Sequence, residues 1–247
     1  RHFGTSNISA AVPVLSLNTG VLFMIRPLIT VALGITMALS LVYSSAIRHG
    51  HADVPVAETA EDIQPLQAGD SAPRFIVETV ESRAFDFDPL NLDKPVMILV
   101  FRGGWCPYCN MYLSDMRHVI PEIRALGLDV LFLSGDRPEL LYESLENQAR
   151  EDIGGLDYTI LSDADAQAAI ALGIAFKATQ RTVDYVNKKG DGYRKSSMER
   201  HGVLPVPAVF AIGKDGTIAY TYVNADYKVR LPADDLLEVA RTIAAAD

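Results

Sequence analysis

Two cysteines separated by two residues are the part of this sequence best suited to chemistry. Cys106 and Cys109 lie in the segment Trp-Cys-Pro-Tyr-Cys and are the only cysteines among the 247 residues. A disulfide between them would close a very small loop and add little stability, because loop-closure stabilisation grows with loop size. The thiolate is the reactive form of cysteine, and two sulfurs at this spacing allow one to attack and the other to resolve. The pair therefore indicates thiol–disulfide redox chemistry.

The segments on either side of the pair favour a reactive thiolate. Residues 95–101 are continuously apolar, which predicts a strand buried on both faces, and residues 109–126 have the apolar spacing of a helix. The cysteines would then lie at a helix N-terminus, where free N–H groups and the helix dipole stabilise a thiolate over a thiol. We expect Gly103 and Gly104 to leave space for a substrate to approach the sulfur.

The rest of the pattern predicts one α/β domain over residues 64–247. Strand patterns cover 75–80, 95–101, 128–134, 158–161, 209–212 and 218–223, and helix patterns cover 109–126, 138–151, 164–172 and 232–246. Alternating strands and helices predict a parallel sheet with helices on both faces. Asp215-Gly216 between the last two strands predicts a hairpin, which adds an antiparallel part. The expected fold is a mixed central sheet flanked by helices.

An apolar segment near the start resembles a targeting sequence. Residues 27–47 contain no charge and are long enough to cross a bilayer as a helix. They follow Met24 and Arg26, so we interpret residues 24–47 as a cleaved signal peptide or an uncleaved anchor. Residues 1–23 are then upstream sequence and residues 48–63 a linker. Basic residues favour the cytoplasmic side, so we expect the redox domain to be extracytoplasmic, either periplasmic or anchored facing the periplasm.

The net charge and the possible metal ligands bear on two other function classes, nucleic-acid binding and metal binding. The net charge of −9 gives no electrostatic footprint for nucleic acid. A structural zinc site needs four ligands, and the chain has a single Cys-x-x-Cys pair, so we predict neither a metal nor a cofactor. A copper-delivery module remains the non-enzyme alternative, in which His49, His51 or His201 would add ligands to the cysteines.

Several short motifs spread along the domain resemble one family. They are residues 69–75 (GDSAPRF), 101–109 (FRGGWCPYC), 134–139 (SGDRPE), 161–163 (LSD), 205–210 (PVPAVF) and 226–230 (DYKVR). Over about residues 66–246 the chain resembles the peroxiredoxin-like branch of the alkyl hydroperoxide reductase/thiol-specific antioxidant family in the thioredoxin superfamily. This resemblance implies a thioredoxin-like fold, preceded here by the N-terminal hydrophobic helix.

The same resemblance implies roles for individual residues. Typical peroxiredoxins carry Pro-x-x-x-Thr-x-x-Cys, and this pattern puts the peroxidatic cysteine on Cys109, the Thr position on Cys106 and the Pro position on Arg102. Arg230 matches a family arginine that favours the thiolate, whereas another family arginine position holds Pro207. Pro207 instead sits where thioredoxins place a cis-proline, and a cis Val206–Pro207 bond would help dock an extended thiol substrate. The expected substrate-binding residues are Gly103, Gly104, Trp105, Pro107, Val206 and Pro207.

Two enzyme functions follow from this resemblance. In a thiol peroxidase, Cys109 attacks a peroxide and becomes a sulfenic acid, Cys106 condenses with it, and a thioredoxin-like or other thiol donor reduces the disulfide. In a thiol–disulfide oxidoreductase, Cys106 is the more exposed sulfur and attacks substrate disulfides, while Cys109 resolves. The whole-domain resemblance favours the first, and the cysteine at the Thr position favours the second. Cys-Pro-Tyr-Cys is also the glutaredoxin motif, but this domain is too long for a plain glutaredoxin.

Overall fold

A seven-stranded mixed sheet forms the centre of the domain in the computed structural model, which describes residues 55–188, 198 and 201–246. The strands are β1 (Phe75–Glu78), β2 (Ala84–Phe87), β3 (Val96–Phe101), β4 (Asp129–Ser134), β5 (Thr159–Ser162), β6 (Ala175–Lys177), β7 (Val203–Pro205), β8 (Ala208–Ile212) and β9 (Ile218–Val223). The strand order in the large sheet is β2-β1-β5-β4-β3-β8-β9, and β6 pairs with β7 in a separate two-stranded sheet. The predicted fold class, a mixed α/β sheet flanked by helices, is confirmed.

Strand β3 separates two apolar layers. Met97, Leu99 and Phe101 point into one layer, and the alternate residues of the same strand point into the other. All six residues of β3 are buried, as the continuous apolar run predicts. The described α-helices are α1 (Pro107–Met116), α2 (Ile120–Ala125), α3 (Asn147–Ile153), α4 (Gln167–Ala171), α5 (Gln180–Asn187) and α6 (Ala233–Ala246).

The parallel strands β3, β4 and β5 end at one edge of the sheet. Phe101 lies beside Ser134, and Ser134 lies beside Ser162, so the residues that follow these three strands are brought together. The antiparallel strand β8 begins at the same edge, with Ala208 beside Val100. The edge where parallel strands end is a usual place for a ligand site in α/β proteins. Here it receives the Cys-x-x-Cys loop from β3.

Two predicted helices differ from those observed. The helix predicted at 109–126 is divided into α1 and α2, because Pro121 cannot donate the helical hydrogen bond and its ring would clash with the carbonyl of Arg117. The helix predicted at 138–151 is a short 3-10 turn at Pro138–Leu140 followed by α3. Strands β2, β6 and β7 and helix α5 were not predicted. The three strands have three or four residues each, too few to show a clear alternation.

Part of the segment predicted to be a linker packs on the domain. Ala57 pairs with Phe176, and the Glu58 carboxylate forms an ion pair with Lys177 at 2.5 Å. A 3-10 turn follows at Ala60–Asp62. The predicted targeting segment 24–47 lies outside the described residues. Among the helices that are described, none has the length and apolar character needed to span a membrane.

Candidate active site

The Cys-x-x-Cys pair begins helix α1. Cys106 is the N-cap residue, with extended backbone angles, and Pro107 occupies the first helical turn, where its missing N–H costs nothing. The Cys106 carbonyl accepts hydrogen bonds from the N–H groups of Cys109 at 3.0 Å and Asn110 at 3.2 Å. The predicted position at a helix N-terminus is therefore observed, with Cys109 inside the first turn.

Both cysteines are buried, and their surroundings shift their pKa values in opposite directions. The exposed fraction is 1% for Cys106, which the disulfide-exchange alternative expected to be the more exposed of the two, and 0% for Cys109. Burial opposes ionisation of Cys109, but a hydrogen bond from the Cys106 thiol, the charges of Arg230 and Arg102 and the Arg102 N–H together lower its pKa to about 6. The same hydrogen bond and burial raise the pKa of Cys106. We infer one shared proton, with the thiolate on Cys109.

Arg230 is the cation that hydrogen-bonds the reactive sulfur. It reaches the site from the segment after β9, and its Nη2 lies 3.6 Å from Cys109 Sγ. Its Nη1 donates to the carbonyls of Tyr227 and Val229, which holds the guanidinium in place. Arg230 was selected from the family resemblance, and the structure places it beside Cys109.

Arg102 is a site residue to which the sequence analysis assigned no role. It follows β3 directly, is 6% exposed, and stacks between two rings, with Cζ 5.1 Å from the Trp105 centroid and 4.5 Å from that of Tyr227. Burial lowers its pKa, while Cys106 and Cys109 oppose that effect. Within the described residues its guanidinium makes no ion pair, and its Nε has no hydrogen-bond partner. The sequence did contain a signal for Arg102: an arginine directly after a buried strand, at the position where the family has a proline.

The Gly-Gly turn before the cysteines is held by buried polar groups. Asp136 Oδ2, from the loop after β4, accepts hydrogen bonds from Gly104 N–H and Ser144 Oγ, both at 2.7 Å. Burial raises the pKa of Asp136 to about 6, although these hydrogen bonds oppose the rise. Asn110 donates to the carbonyls of Gly104 at 2.7 Å and Cys106 at 3.1 Å. Asp136 and Asn110 were also missed, because a single buried polar residue has no periodicity.

The two glycines are required by close packing. A Cβ on Gly103, whose φ is +142°, would lie 2.5 Å from Trp105 Nε1 and 2.6 Å from Asp136 Oδ1. A Cβ on Gly104 would lie 2.5 Å from the Ser144 carbonyl carbon and 2.7 Å from the backbone nitrogen of residue 145. This finding gives a structural reason for both glycines, beside the substrate approach that the sequence analysis expected of them.

The expected cis-proline is not present. The Val206–Pro207 peptide bond is trans, as are all peptide bonds of the described residues, so the prediction of a cis bond here is wrong. The backbone is fixed on both sides of Pro207. Before it, the Val206 N–H donates to the Ile174 carbonyl at 2.9 Å, and after it, β8 pairs with β9. Val206 and Pro207 line a cavity of about 510 Å³ together with Arg102, but neither cysteine lines it.

A second cavity gives access to one of the two cysteines. It has a volume of about 560 Å³ and is lined by Arg102, Trp105, Cys106, Pro107, Tyr108, Arg181, Thr182, Tyr185, Tyr227 and Lys228. Trp105 and Pro107 were predicted to contact substrate, and both line this space. Cys109 does not line it. The cavity therefore reaches the pair from the side of Cys106.

The histidine available to the copper alternative already has partners. The ring of His201 contacts the Ala164 carbonyl through Nε2 at 3.1 Å and accepts from the Val203 N–H through Nδ1 at 3.0 Å. His49 and His51 lie outside the described residues. In the part of the chain that the structure describes, no three His, Cys, Asp or Glu side chains gather as a metal site would require.

Two known redox proteins are similar in sequence to this chain. Peroxiredoxin Bcp of Escherichia coli K12 is 25% identical over 160 residues, which are 65% of this chain and 87% of that protein. Thiol-disulfide oxidoreductase ResA of Bacillus anthracis is 22% identical over 170 residues, 69% of this chain and 78% of its own.

A solved structure shows the same fold. The peroxiredoxin-like protein from Aquifex aeolicus superposes with a TM-score of 0.53 at 18% identity, over 76% of this chain and 96% of that one. The model of the AhpC/TSA family matches residues 68–221, more than half of the chain and including β3, the cysteine pair and β8. The likeness to both peroxiredoxins and thiol–disulfide oxidoreductases supports redox enzyme activity. The chain belongs to the AhpC/TSA family.

Proposed function

We propose that this protein is a thiol peroxidase in which Cys109 reacts with the peroxide and Cys106 resolves. The observation that carries the proposal is the unequal ionisation of the pair. Cys109 has a pKa near 6 and an arginine at 3.6 Å, whereas Cys106 keeps its proton. A thioredoxin-type exchange enzyme would need the opposite order, with the ionised sulfur on Cys106.

Each step of the proposed cycle balances with these two sulfurs. The Cys109 thiolate attacks one peroxide oxygen, the O–O bond breaks, and the leaving oxygen departs as hydroxide or alkoxide and takes up a proton. The Cys109 sulfenic acid then condenses with the Cys106 thiol, which forms the disulfide and releases water. A thiol donor, thioredoxin-like or of another kind, reduces the disulfide and is itself oxidised.

Disulfide exchange is the second candidate, and one observation favours it. Cys106 is the cysteine that lines a cavity, so an incoming disulfide or thiol would meet Cys106 first. The similarity to the ResA proteins supports the same chemistry. In this alternative Cys106 must lose its proton to Cys109 before it attacks.

We also propose where the domain acts. The uncharged segment 27–47 preceded by Arg26 supports an extracytoplasmic redox domain over residues 64–247, attached to the membrane if the segment is not cleaved. A fusion of residues 24–63 to a reporter that is active only outside the cytoplasm would test this proposal, and an inactive reporter would refute it.

Single-turnover peroxide consumption tests the peroxidase proposal. The fully reduced full chain is mixed with hydrogen peroxide, beside the variants Cys106→Ser and Cys109→Ser. We expect one peroxide to be consumed by Cys106→Ser, with a sulfenic acid trapped on Cys109, and none by Cys109→Ser. Reaction no faster than that of a free thiol in all three proteins would refute the proposal and leave disulfide exchange as the better account.

A further inference from the structure

The cavity beside Cys106 is positively charged, although the chain as a whole carries a net charge of −9. Arg102, Arg181 and Lys228 line it, and among the described residues no acidic side chain does. Within the described residues none of these three cations forms an ion pair. A pocket lined by three cations that form no ion pair within the described residues is suited to an anion.

The strongest element of this site is buried. Arg102 is 6% exposed, and within the described part of the chain its charge is stabilised by the faces of Trp105 and Tyr227 and by the nearby sulfurs. Burying a guanidinium without a carboxylate is costly unless a ligand supplies the missing acceptor. Trp105 Nε1 is likewise buried without a hydrogen-bond partner. Both residues line the cavity that Cys106 also lines.

The disulfide formed by the two cysteines would be open to attack from this cavity. Cys106 lines it and Cys109 does not, so an attacking thiolate meets the sulfur of Cys106. The sulfur that leaves is then Cys109, whose lower pKa makes it the better leaving group. The access to the disulfide and the leaving-group ability of Cys109 therefore both favour attack on Cys106 with departure of Cys109.

We propose that this cavity binds the reductant, and that the reductant is a small thiol carrying a carboxylate. The proposal rests on the proposed function insofar as that function forms the Cys106–Cys109 disulfide. A volume of about 560 Å³ lies in the range of small-molecule pockets, and a cysteine that is 1% exposed is easier for a small thiol to reach than for a protein surface.

The reduction then proceeds in two balanced exchanges. The reductant thiolate attacks Cys106, the S–S bond to Cys109 breaks, and Cys109 leaves as a thiolate beside Arg230. A second molecule of the same thiol attacks the reductant sulfur of the mixed disulfide. This exchange releases the oxidised reductant as its own disulfide and returns Cys106, which takes up a proton. Arg102 would hold the carboxylate of the first molecule.

Reduction by thiols that differ in charge tests the proposal. The full chain is oxidised to the disulfide with a diazenedicarboxamide oxidant, so that no peroxide step is needed. It is then reduced with 3-mercaptopropionate, 2-mercaptoethanol or cysteamine, and the fluorescence of Trp105, the only tryptophan in the chain, follows the reaction. Each rate is divided by the thiolate concentration and by the rate of the same thiolate with a small uncharged reference disulfide, which removes the differences in intrinsic nucleophilicity among the three thiols. We expect the anionic thiol to react about tenfold faster than the neutral one, and the cationic thiol to be slowest.

Substitutions then identify the residues responsible. Arg102→Gln should reduce the ratio of the anionic to the neutral rate to about one, and this ratio cancels any change in the leaving group Cys109. Lys214→Gln, which removes one exposed positive charge outside the cavity lining, is the matched control and should leave the ratio unchanged. If Arg102→Gln does not fold, the Arg181→Gln, Lys228→Gln double variant must lower the ratio.

The outcomes separate this proposal from the peroxidase proposal. Equal rates for the three thiols, or a ratio that Arg102→Gln leaves unchanged, would overturn the anionic reductant even if peroxide is consumed. Selectivity for the anionic thiol without peroxide consumption would retain the cavity assignment and refute the peroxidase. Fragmentation mass spectrometry of a reaction quenched early should find the mixed disulfide on Cys106, and its presence on Cys109 would contradict the proposed direction of attack.

Discussion

Replacing Arg230 by Gln tests whether this arginine makes Cys109 a thiolate. With Nη2 3.6 Å from Sγ, the Coulomb attraction is about 4.6 kcal/mol at an effective dielectric constant of about 20. Arg230 is only partly buried, so solvent screening reduces this value. A cation at this distance usually lowers the pKa of an acidic group by about 1 to 3. For Cys109 we use the lower part of this range, about 1 to 2, which is equivalent to about 1.4 to 2.7 kcal/mol.

The expected effect depends on pH. Arg230→Gln should raise the pKa of Cys109 from about 6 to roughly 7 or 8. Near pH ~6 the thiolate fraction would fall from about one half to roughly 1–10%, so peroxide consumption should slow about fivefold to fiftyfold. Near pH ~9 both proteins are mostly thiolate and the rates should converge, because a thiolate of higher pKa is also somewhat more nucleophilic.

The assay is a pH titration of the thiolate absorbance beside the single-turnover rate. The titration uses a Cys106→Ser background, in which one cysteine titrates and the serine hydroxyl still donates to its sulfur. Arg241→Gln is the control, since Arg241 pairs with Glu122 and Glu238 and is not among the charges acting on Cys109. An unchanged midpoint with a lower rate at every pH would refute the reasoning. Arg230 would then act on the peroxide and not on the thiolate.

Three further predictions concern the surroundings of the pair. Gly104→Ala should destabilise the protein by about 1–3 kcal/mol in a denaturant titration, because its Cβ would overlap backbone atoms of residues 144 and 145; an unchanged midpoint would contradict this packing. The Asp136 carboxylate has a raised pKa, so its favourable contribution to stability is complete below the unfolded value of 3.8 and is lost as the pH rises through about 6. Asp136→Asn should therefore cost more stability near pH ~4 than near pH ~8, and a cost that grows with pH would contradict the sign. Because Cys109 is fully buried, iodoacetamide should alkylate it far more slowly than its pKa implies, as measured by mass spectrometry of Cys106→Ser; alkylation at the rate of an exposed thiolate would refute this.

The long apolar strands were predictable because burial on two faces leaves a continuous pattern in the sequence. The runs at β3 and β4 were located within one residue of their observed ends. The short strands β6 and β7 were not, because three residues cannot distinguish a period of two from chance. Pro121 was a breaker signal that divides the helix after the pair, and the helical apolar spacing on both sides of it concealed the break.

The site was predictable wherever its residues are adjacent in sequence and not where the fold assembles them. Cys106, Cys109 and their helix start come from one short segment. Asp136 meets that segment only because β3 and β4 are parallel neighbours that end together. Arg102 belongs to the segment itself, but its stacking on Tyr227 depends on the fold. Pairing of this kind is nonlocal, and a single sequence contains no record of it. The family resemblance identified Arg230 as a site residue. At Arg102 it indicated only that the family's proline is absent. The structure shows that this position holds a second cation beside the sulfurs, which stacks on two rings and lines the cavity that Cys106 also lines.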